Sequence, residues 1–162
     1  MAKEIERKFL VAHDGWRAEV TSSKAFRQAY VASMGDRSVR VRIVDNRKAT
    51  LTIKIGASAL VRDEYEYDIP LDDAEELMAS STGVVIEKTR HIVNHAGFTW
   101  EVDVFNGNYD GLIVAEVELD DEHATPDLPE WIGREVTGDR RFSNQSLATE
   151  NLRGELLDAL QD

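Results

Sequence analysis

Hydrophobic and polar residues alternate along most of this chain with a period of two, the pattern typical of strands that have one apolar face. Glycine, asparagine and aspartate separate several of these segments, for example at residues 34–36 and 96–97. Such short connections favour antiparallel pairing of consecutive strands. The alternation predicts eight strands, over residues 3–11, 26–32, 38–44, 49–55, 61–69, 85–95, 98–105 and 112–119.

Helical spacing of apolar residues occurs in few places. Residues 72–80 predict one helix with Ala74, Leu77 and Met78 on its apolar face, and the leucines of residues 146–160 predict a second. Residues 126–132 predict a short helical turn. Eight antiparallel strands with a few helices give an α+β fold, and eight strands can close into a barrel. We therefore predict a single domain over residues 1–162, an eight-stranded antiparallel closed β-barrel (a tunnel) with flanking helices that include a C-terminal helix.

The polar face of these strands carries charged pairs instead of the usual mixture of polar residues. Residues i and i+2 of a strand share a face, and the opposite face is apolar, as at Val39, Val41 and Ile43. A single strand of this kind is also typical of a sheet with one wet face. Like charges repel unless something bridges them, however, so the whole set indicates a charged interior that binds ions. The set comprises Glu4 and Glu6 followed by Lys8, Arg40 with Arg42, Thr52 with Lys54, Glu64 with Glu66, Lys88 with Arg90, Glu101 with Asp103, and Glu116 with Glu118.

The composition excludes several classes of protein. There is no cysteine, which excludes a disulfide scaffold, a zinc–thiolate site and a cysteine nucleophile. The net charge of −12 disfavours nucleic-acid and anionic-membrane partners, but a small polyanion can still bind in a local basic pocket. The chain has no apolar run of transmembrane length and no apolar stretch at its charged N-terminus. We expect a cytoplasmic protein, and nothing in the sequence demands an oligomer.

A count of the paired charges indicates what the interior binds. Eight acids and six bases leave a net charge of −2 if every pair faces inward. Two divalent cations would change this to about +2, whereas a triphosphate carries roughly −4. A polyphosphate would therefore be rejected without metal and attracted with it. Clustered carboxylates suit hard cations such as Mg²⁺ or Mn²⁺, and arginine suits forked contacts with phosphate oxygens.

The same residues resemble the signature of the CYTH superfamily, the triphosphate tunnel metalloenzymes. Residues 4–8 match its ExExK motif, and the matches then follow in the family's order over nearly the whole chain. They are the paired arginines of residues 39–43, the lysine strand 51–54, the RxExE segment 62–66, the KxR strand 87–90, the acidic strands 100–105 and 115–119, and the closing segments 131–139 and 144–148.

This resemblance implies an eight-stranded tunnel that binds a triphosphate and divalent metal, Mg²⁺ or Mn²⁺, with two ions per site. The implied reaction is hydrolysis of inorganic triphosphate to pyrophosphate and orthophosphate, with Glu4, Glu6 and Lys8 as the catalytic residues. Phosphate oxygens would be held by Lys8, Arg40, Arg42, Lys54, Lys88, Arg90 and Arg134. The metal would be held by Glu4, Glu6, Glu64, Glu66, Asp103, Glu116 and Glu118.

Several alternatives share these charged strands. A class IV adenylate cyclase, a thiamine triphosphatase and a nucleoside triphosphatase are also compatible with the tunnel residues. A cyclase would release pyrophosphate from ATP, whereas a hydrolase would release orthophosphate. A non-catalytic polyphosphate-binding module is the alternative outside enzymes, although a pure binder of polyanions gains little from eight acidic residues.

Overall fold

A computed structural model describes residues 2–56 and 61–161 of the chain. Residues 1 and 162, which the predicted domain of residues 1–162 includes, lie outside these ranges. The strands are β1 (Ala2–Val11), β2 (Val20–Met34), β3 (Arg37–Val44), β4 (Lys48–Ile55), β5 (Val61–Ile69), β6 (Ile86–His95), β7 (Phe98–Asn106), β8 (Ile113–Glu118) and β9 (Ile132–Glu135). The helices are α1 (Leu71–Ala79), α2 (Asn144–Thr149) and α3 (Arg153–Ala159), and short 3₁₀ segments occupy Asp14–Glu19, Gly107–Tyr109 and Arg140–Phe142.

Eight antiparallel strands close into a barrel, which confirms the predicted fold. Their order around the barrel is β1-β5-β4-β3-β2-β6-β7-β8, and β8 returns to β1. Strand β1 pairs with β5 up to Ile5, and from Phe9 onward β9 takes the place of β5 beside it. The tight hairpins use backbone conformations with positive φ, as at Asp45 and Asn46, where the strand twist favours such turns.

Apolar residues cover the outside of the barrel in two places. Helix α1 packs Ala74 and Met78 against Val41 and Ile43 on the outer face of β3. On the opposite side, Trp100 lies under the segments that carry Trp16 and Trp131, and all three tryptophans are buried. This burial removes the apolar faces of the strands from water and leaves the charged faces pointing into the barrel.

The C-terminal segment covers one part of a barrel end. Lumen-facing residues of β2, β6, β7 and β8 form a single cluster with residues of α2 and α3, among them Leu147 and Leu156. These lumen-facing residues are Tyr30, Ile86, Phe105 and Val114. The charged part of the lumen therefore lies beyond an apolar plug.

Two of the helix predictions are wrong. Residues 126–132 form no helix, and Ile132 instead begins β9, which satisfies the backbone of β1 where β5 leaves it. Residues 146–160 form two helices instead of one, because Glu150 has an extended backbone that ends α2. The Tyr109 hydroxyl lies within hydrogen-bonding distance of the Leu147 and Glu150 carbonyls (2.9 Å for the latter) and accepts from the Leu152 N–H at 3.2 Å. Tyr109 thus compensates the backbone groups that the break leaves unpaired.

No helix among the described residues is long and apolar enough to cross a membrane.

Candidate active site

At least one charged member of every pair lines one cavity of about 160 Å³ inside the barrel, which we call the inner cavity, whereas Lys88 and Asp103 do not line it. The register places Glu6 opposite Glu118 and Lys54 opposite Glu64, so these side chains share the lumen face. Twelve residues line the inner cavity: Glu4, Glu6, Arg40, Arg42, Lys54, Glu64, Glu66, Arg90, Glu101, Glu116, Glu118 and Asn144. Apart from Asn144, every one of them has an ionisable side chain.

The strand order separates the two signs of charge. The acidic pairs lie on β7, β8, β1 and β5, which are consecutive around the barrel. The basic pairs lie on β3 and β6, with only β2 between them, and Lys54 lies on β4 beside β3. The lumen therefore has an acidic half and a basic half. A phosphate chain would be attracted to the basic half, and a cation placed against the acidic half would neutralise its carboxylates.

Asp103 organises part of the basic half. It accepts hydrogen bonds from Lys88 Nζ at 2.6 Å and from Arg90 Nε and Nη2 at 2.8 Å each. Burial opposes its ionisation, but Arg90 and Lys88 hold the pKa of Asp103 well below its usual range. Burial lowers the pKa of Lys88 to about 7 despite the attraction of Asp103. Both Asp103 oxygens are thus occupied by basic groups, and Asp103 does not line the inner cavity. We therefore leave Asp103, predicted as a metal ligand, out of the proposed metal site, because its contacts suit it to orienting Lys88 and Arg90.

The acidic half contains carboxylates that are crowded enough to retain protons. Lys54 Nζ lies 2.9 Å from Glu4 Oε1 and 3.8 Å from Glu64 Oε2. A hydrogen bond with Glu4, together with burial, raises the pKa of Glu64 to about 7. Burial opposes ionisation of Glu4 as well, but the hydrogen bond from Glu64 and the charge of Lys54 lower its pKa to about 2. Burial and the neighbouring Glu116 raise the pKa of Glu6 to about 8.

Residues from outside the barrel complete the cavity. Lys8 Nζ lies 3.5 Å from Glu116 Oε1 and donates to the Phe142 carbonyl at 2.9 Å. Asn144, at the start of α2, accepts from Lys88 Nζ at 3.3 Å. The C-terminal segment therefore touches two of the predicted phosphate-binding lysines as well as closing the barrel.

A larger outer cavity of about 280 Å³ adjoins the inner cavity at Glu6 and Lys54. Lys8, Arg37, Arg62 and the segment that begins at Val136 also line it, so it forms a basic approach to the tunnel.

Arg134, a predicted phosphate ligand, lies outside both cavities. It is exposed on β9, where its Nη2 donates to the Ala159 carbonyl at 3.1 Å. That contact joins β9 to the end of α3. We therefore leave Arg134 out of the proposed site.

The carboxylates suit a divalent cation by their chemistry. Hard oxygen donors such as Glu4, Glu6, Glu116 and Glu118 are what Mg²⁺ and Mn²⁺ prefer. Within residues 2–56 and 61–161, no three acidic or histidine side chains already form a finished cation site. Lys54 and Lys8 instead pair with Glu4 and Glu116. The donor set fits a metal that would displace these ammonium groups and the protons held at Glu6 and Glu64.

Two residues of the site were not identified from the sequence. Gln28 is fully buried and accepts from Arg42 Nε at 2.9 Å, and Asn144 enters the inner cavity from α2. Gln28 lies two residues after Phe26 in the predicted strand 26–32. The alternation of side chains along that strand could therefore have assigned Gln28 to a face of the sheet from the sequence alone. Nothing in the local pattern around Asn144 indicates that α2 reaches into the tunnel.

Comparison with known proteins places the chain in a family. Residues 2–149 match the model of the CYTH domain. The chain belongs to the CYTH domain family. Its triphosphatases depend on metal in general. An inorganic triphosphatase of Acetivibrio thermocellus is 46% identical over 148 residues, which are 91% of this chain and 94% of that protein. An inorganic triphosphatase of Nitrosomonas europaea is 37% identical over 151 residues, 90% of this chain and 96% of that protein.

Solved structures agree with this assignment. The crystal structure of an inorganic triphosphatase that is 35% identical superposes with a TM-score of 0.67 and covers 93% of this chain and 97% of its own. The predicted resemblance to the CYTH superfamily is therefore confirmed.

Proposed function

We propose that this chain hydrolyses inorganic triphosphate to pyrophosphate and orthophosphate with the help of divalent cations. The observation that carries the proposal is the division of the inner cavity into a basic half and an acidic half. That division suits a polyanion on one side and cations on the other. The names of the two relatives, both inorganic triphosphatases, support the same reaction.

The chain's own residues would perform distinct tasks. Arg40, Arg42 and Arg90, which line the inner cavity, would hold phosphate oxygens and stabilise the charge that develops on the transferred and leaving groups. Lys88, predicted as a phosphate ligand, lies outside both cavities and would add its charge from its buried position beside Asp103. Lys54 lies at the border of the two halves and Lys8 lies within the acidic half. Each pairs with a carboxylate that it can exchange for a phosphate oxygen. Asp103 would orient Lys88 and Arg90 through the hydrogen bonds described above.

The remaining carboxylates would hold the metal. Glu4, Glu6, Glu116 and Glu118 are the proposed main ligands for two ions of Mg²⁺ or Mn²⁺, with Glu64 and Glu66 in support. A divalent cation in such a site polarises phosphate oxygens and lowers the pKa of a bound water.

The lining of the cavities favours an inorganic substrate over a nucleotide. No aromatic side chain lines the inner or the outer cavity within the described part of the chain. A nucleobase would therefore find no ring on which to stack. Polyphosphate oxygens, in contrast, would meet charged groups along the whole inner cavity.

The first test is orthophosphate release from inorganic triphosphate with Mg²⁺, with Mn²⁺ and with a chelator. ATP and pyrophosphate serve as parallel substrates. We expect metal-dependent release from triphosphate and much slower release from ATP. Cyclic nucleotide and pyrophosphate formed from ATP would instead identify a cyclase, and absence of any product would favour a binding module.

A second test concerns Glu6. We expect Glu6→Ala to lower turnover by at least roughly a hundredfold, which is the scale of removing a group that acts in the transition state. Glu76→Ala, on the exposed side of α1, is the matched control and should retain full activity. Near-normal turnover of a folded Glu6→Ala variant would refute the assignment of this residue.

A further inference from the structure

Gln28 is a buried polar residue on the basic half of the tunnel to which the proposed reaction assigns no task. It lies on β2, opposite Arg42 of β3, and is completely inaccessible to solvent. Its Oε1 accepts from Arg42 Nε at 2.9 Å, whereas its Nε2 has no hydrogen-bond partner among the described residues. Leaving a buried amide donor unpaired costs free energy, so such a residue in a barrel wall calls for a functional reason.

Arg42 is held on two sides. The ring centroid of Phe26 lies 4.4 Å from its guanidinium carbon, and Gln28 occupies its Nε–H. Across residues 2–56 and 61–161, the structure gives its two Nη groups no hydrogen-bond partner. Arg42 also lines the inner cavity. The two groups best suited to a forked contact with phosphate oxygens are therefore the ones left free.

Arg40, the other member of the arginine pair on β3, is held in a different way. Its Nη2 lies 3.4 Å from Thr52 Oγ1, and its Nε is buried without a partner among the described residues. Gln28 therefore acts on one arginine of the pair. Among the described residues, Gln28 supplies the one hydrogen bond that fixes the orientation of the Arg42 guanidinium on the Phe26 ring.

We propose that Gln28 is a positioning residue that holds the guanidinium of Arg42 in the orientation that binds the phosphate chain, an inference that rests on the proposed triphosphatase function. Gln28 acts through Arg42 and does not itself touch the substrate. If the two Nη groups of Arg42 are already oriented before phosphate binds, less conformational entropy is lost on binding. An amide side chain supplies an acceptor that carries no charge, but its unpaired N–H group lowers the stability of the folded protein. A carboxylate there would neutralise Arg42.

The test replaces Gln28 with methionine, which has a similar length but no strong acceptor. Binding of the non-hydrolysable analogue imidotriphosphate with Mg²⁺ is measured by calorimetry, and steady-state kinetics give KM and kcat for triphosphate. We expect Gln28→Met to weaken analogue binding and raise KM about tenfold, the scale of losing a hydrogen bond to a charged group. The melting temperature should stay near that of the unchanged protein, and kcat should change less than KM.

A double-mutant cycle separates positioning from packing. Lysine has no guanidinium for Gln28 to orient. Gln28→Met should therefore weaken analogue binding in the otherwise unchanged protein but not in a protein that already carries Arg42→Lys. Gln161→Met, at an exposed glutamine, is the matched control and should change neither binding nor stability. Equal weakening in both backgrounds, or a lower melting temperature with unchanged affinity, would overturn the proposal.

Two further readouts keep the test decisive. Analogue binding needs no turnover, so a protein that binds imidotriphosphate but hydrolyses nothing would refute the proposed function and leave the test of Gln28 intact. If Gln28→Met does not fold, the Nε–H resonance of Arg42 in the unchanged protein decides. We expect its hydrogen exchange to be slowed, and exchange as fast as that of free arginine would refute the proposal.

Discussion

Asp103 is expected to contribute more to folding than any exposed ion pair of this chain. Its side chain is 1% exposed, and it accepts three hydrogen bonds from Lys88 and Arg90, whose side chains are 0% and 12% exposed. Asp103→Asn keeps the shape but removes the charge, so buried Lys88 loses its carboxylate partner and Arg90 keeps only its contacts with Glu101 and Glu116. Breaking a buried pair in this way costs about 3–5 kcal/mol of unfolding free energy. For a chain of this length, the melting temperature should fall by roughly 6–20 °C.

The assay is chemical and thermal unfolding in chelator, followed by the fluorescence of the three buried tryptophans. Glu135→Gln is the matched control, because Arg7 donates to Glu135 through the same Nε and Nη2 fork at 2.9 Å, but on the outer surface. That exposed pair should be worth at most about 1 kcal/mol. Excess orthophosphate should stabilise Asp103→Asn more than the unchanged protein, because Arg90, which lines the inner cavity, has then lost two of its hydrogen bonds to a charged carboxylate.

Equal losses in the two variants would refute this account of Asp103. Such a result would mean that water reaches Lys88 and Arg90 and screens their charges. A large loss without any recovery in phosphate would show instead that the packing around Asp103 matters and its charge does not.

Three further predictions follow from the structure. Because the pKa of Glu6 is raised, the metal-free folded protein holds a proton on Glu6 between pH 5 and 7 that the unfolded chain has released. The free energy of unfolding should therefore fall as the pH rises through this range, and Glu6→Gln should make this pH dependence weaker. Tyr109→Phe should cost about 1–3 kcal/mol and accelerate amide exchange in residues 147–152, whereas Tyr67→Phe, at an exposed tyrosine, should change neither. Gly83→Ala should destabilise far more than Gly97→Ala, because both glycines have positive φ but only the Cβ at Gly83 would lie 2.2 Å from a backbone oxygen, that of Ala148.

Each of these has a clear contrary result. A flat pH dependence in chelator would show that Glu6 ionises normally, and saturating Mg²⁺ should remove the slope by replacing the proton. Unchanged exchange in the tyrosine variant, measured by mass spectrometry, would mean that the apolar plug alone holds the C-terminal segment. Equal melting temperatures of the two alanine variants would show that α2 yields easily to the added methyl group.

The sequence was sufficient for the strands and for the chemistry of their faces. Side chains alternate strictly along a strand, so the parity of Glu4, Glu6, Arg40 and Arg42 already determines that each pair shares a face. Turn residues between the segments indicate antiparallel neighbours, and the count of eight is enough for closure. These features are local in the chain, which is why a pattern with a period of two could predict them.

The tertiary structure decided what no local pattern contains. Acidic and basic strands are interleaved along the sequence, and only the order β1-β5-β4-β3-β2-β6-β7-β8 gathers them into two halves. The helix break at Glu150 depends on Tyr109, about forty residues away, and the pairing of β9 with β1 spans more than a hundred. The contacts of Lys88 with Asn144 and of Arg42 with Gln28 also join distant segments. The sequence alone determined which charges this tunnel contains, but their arrangement comes from long-range pairing and packing, which depend on the whole chain at once.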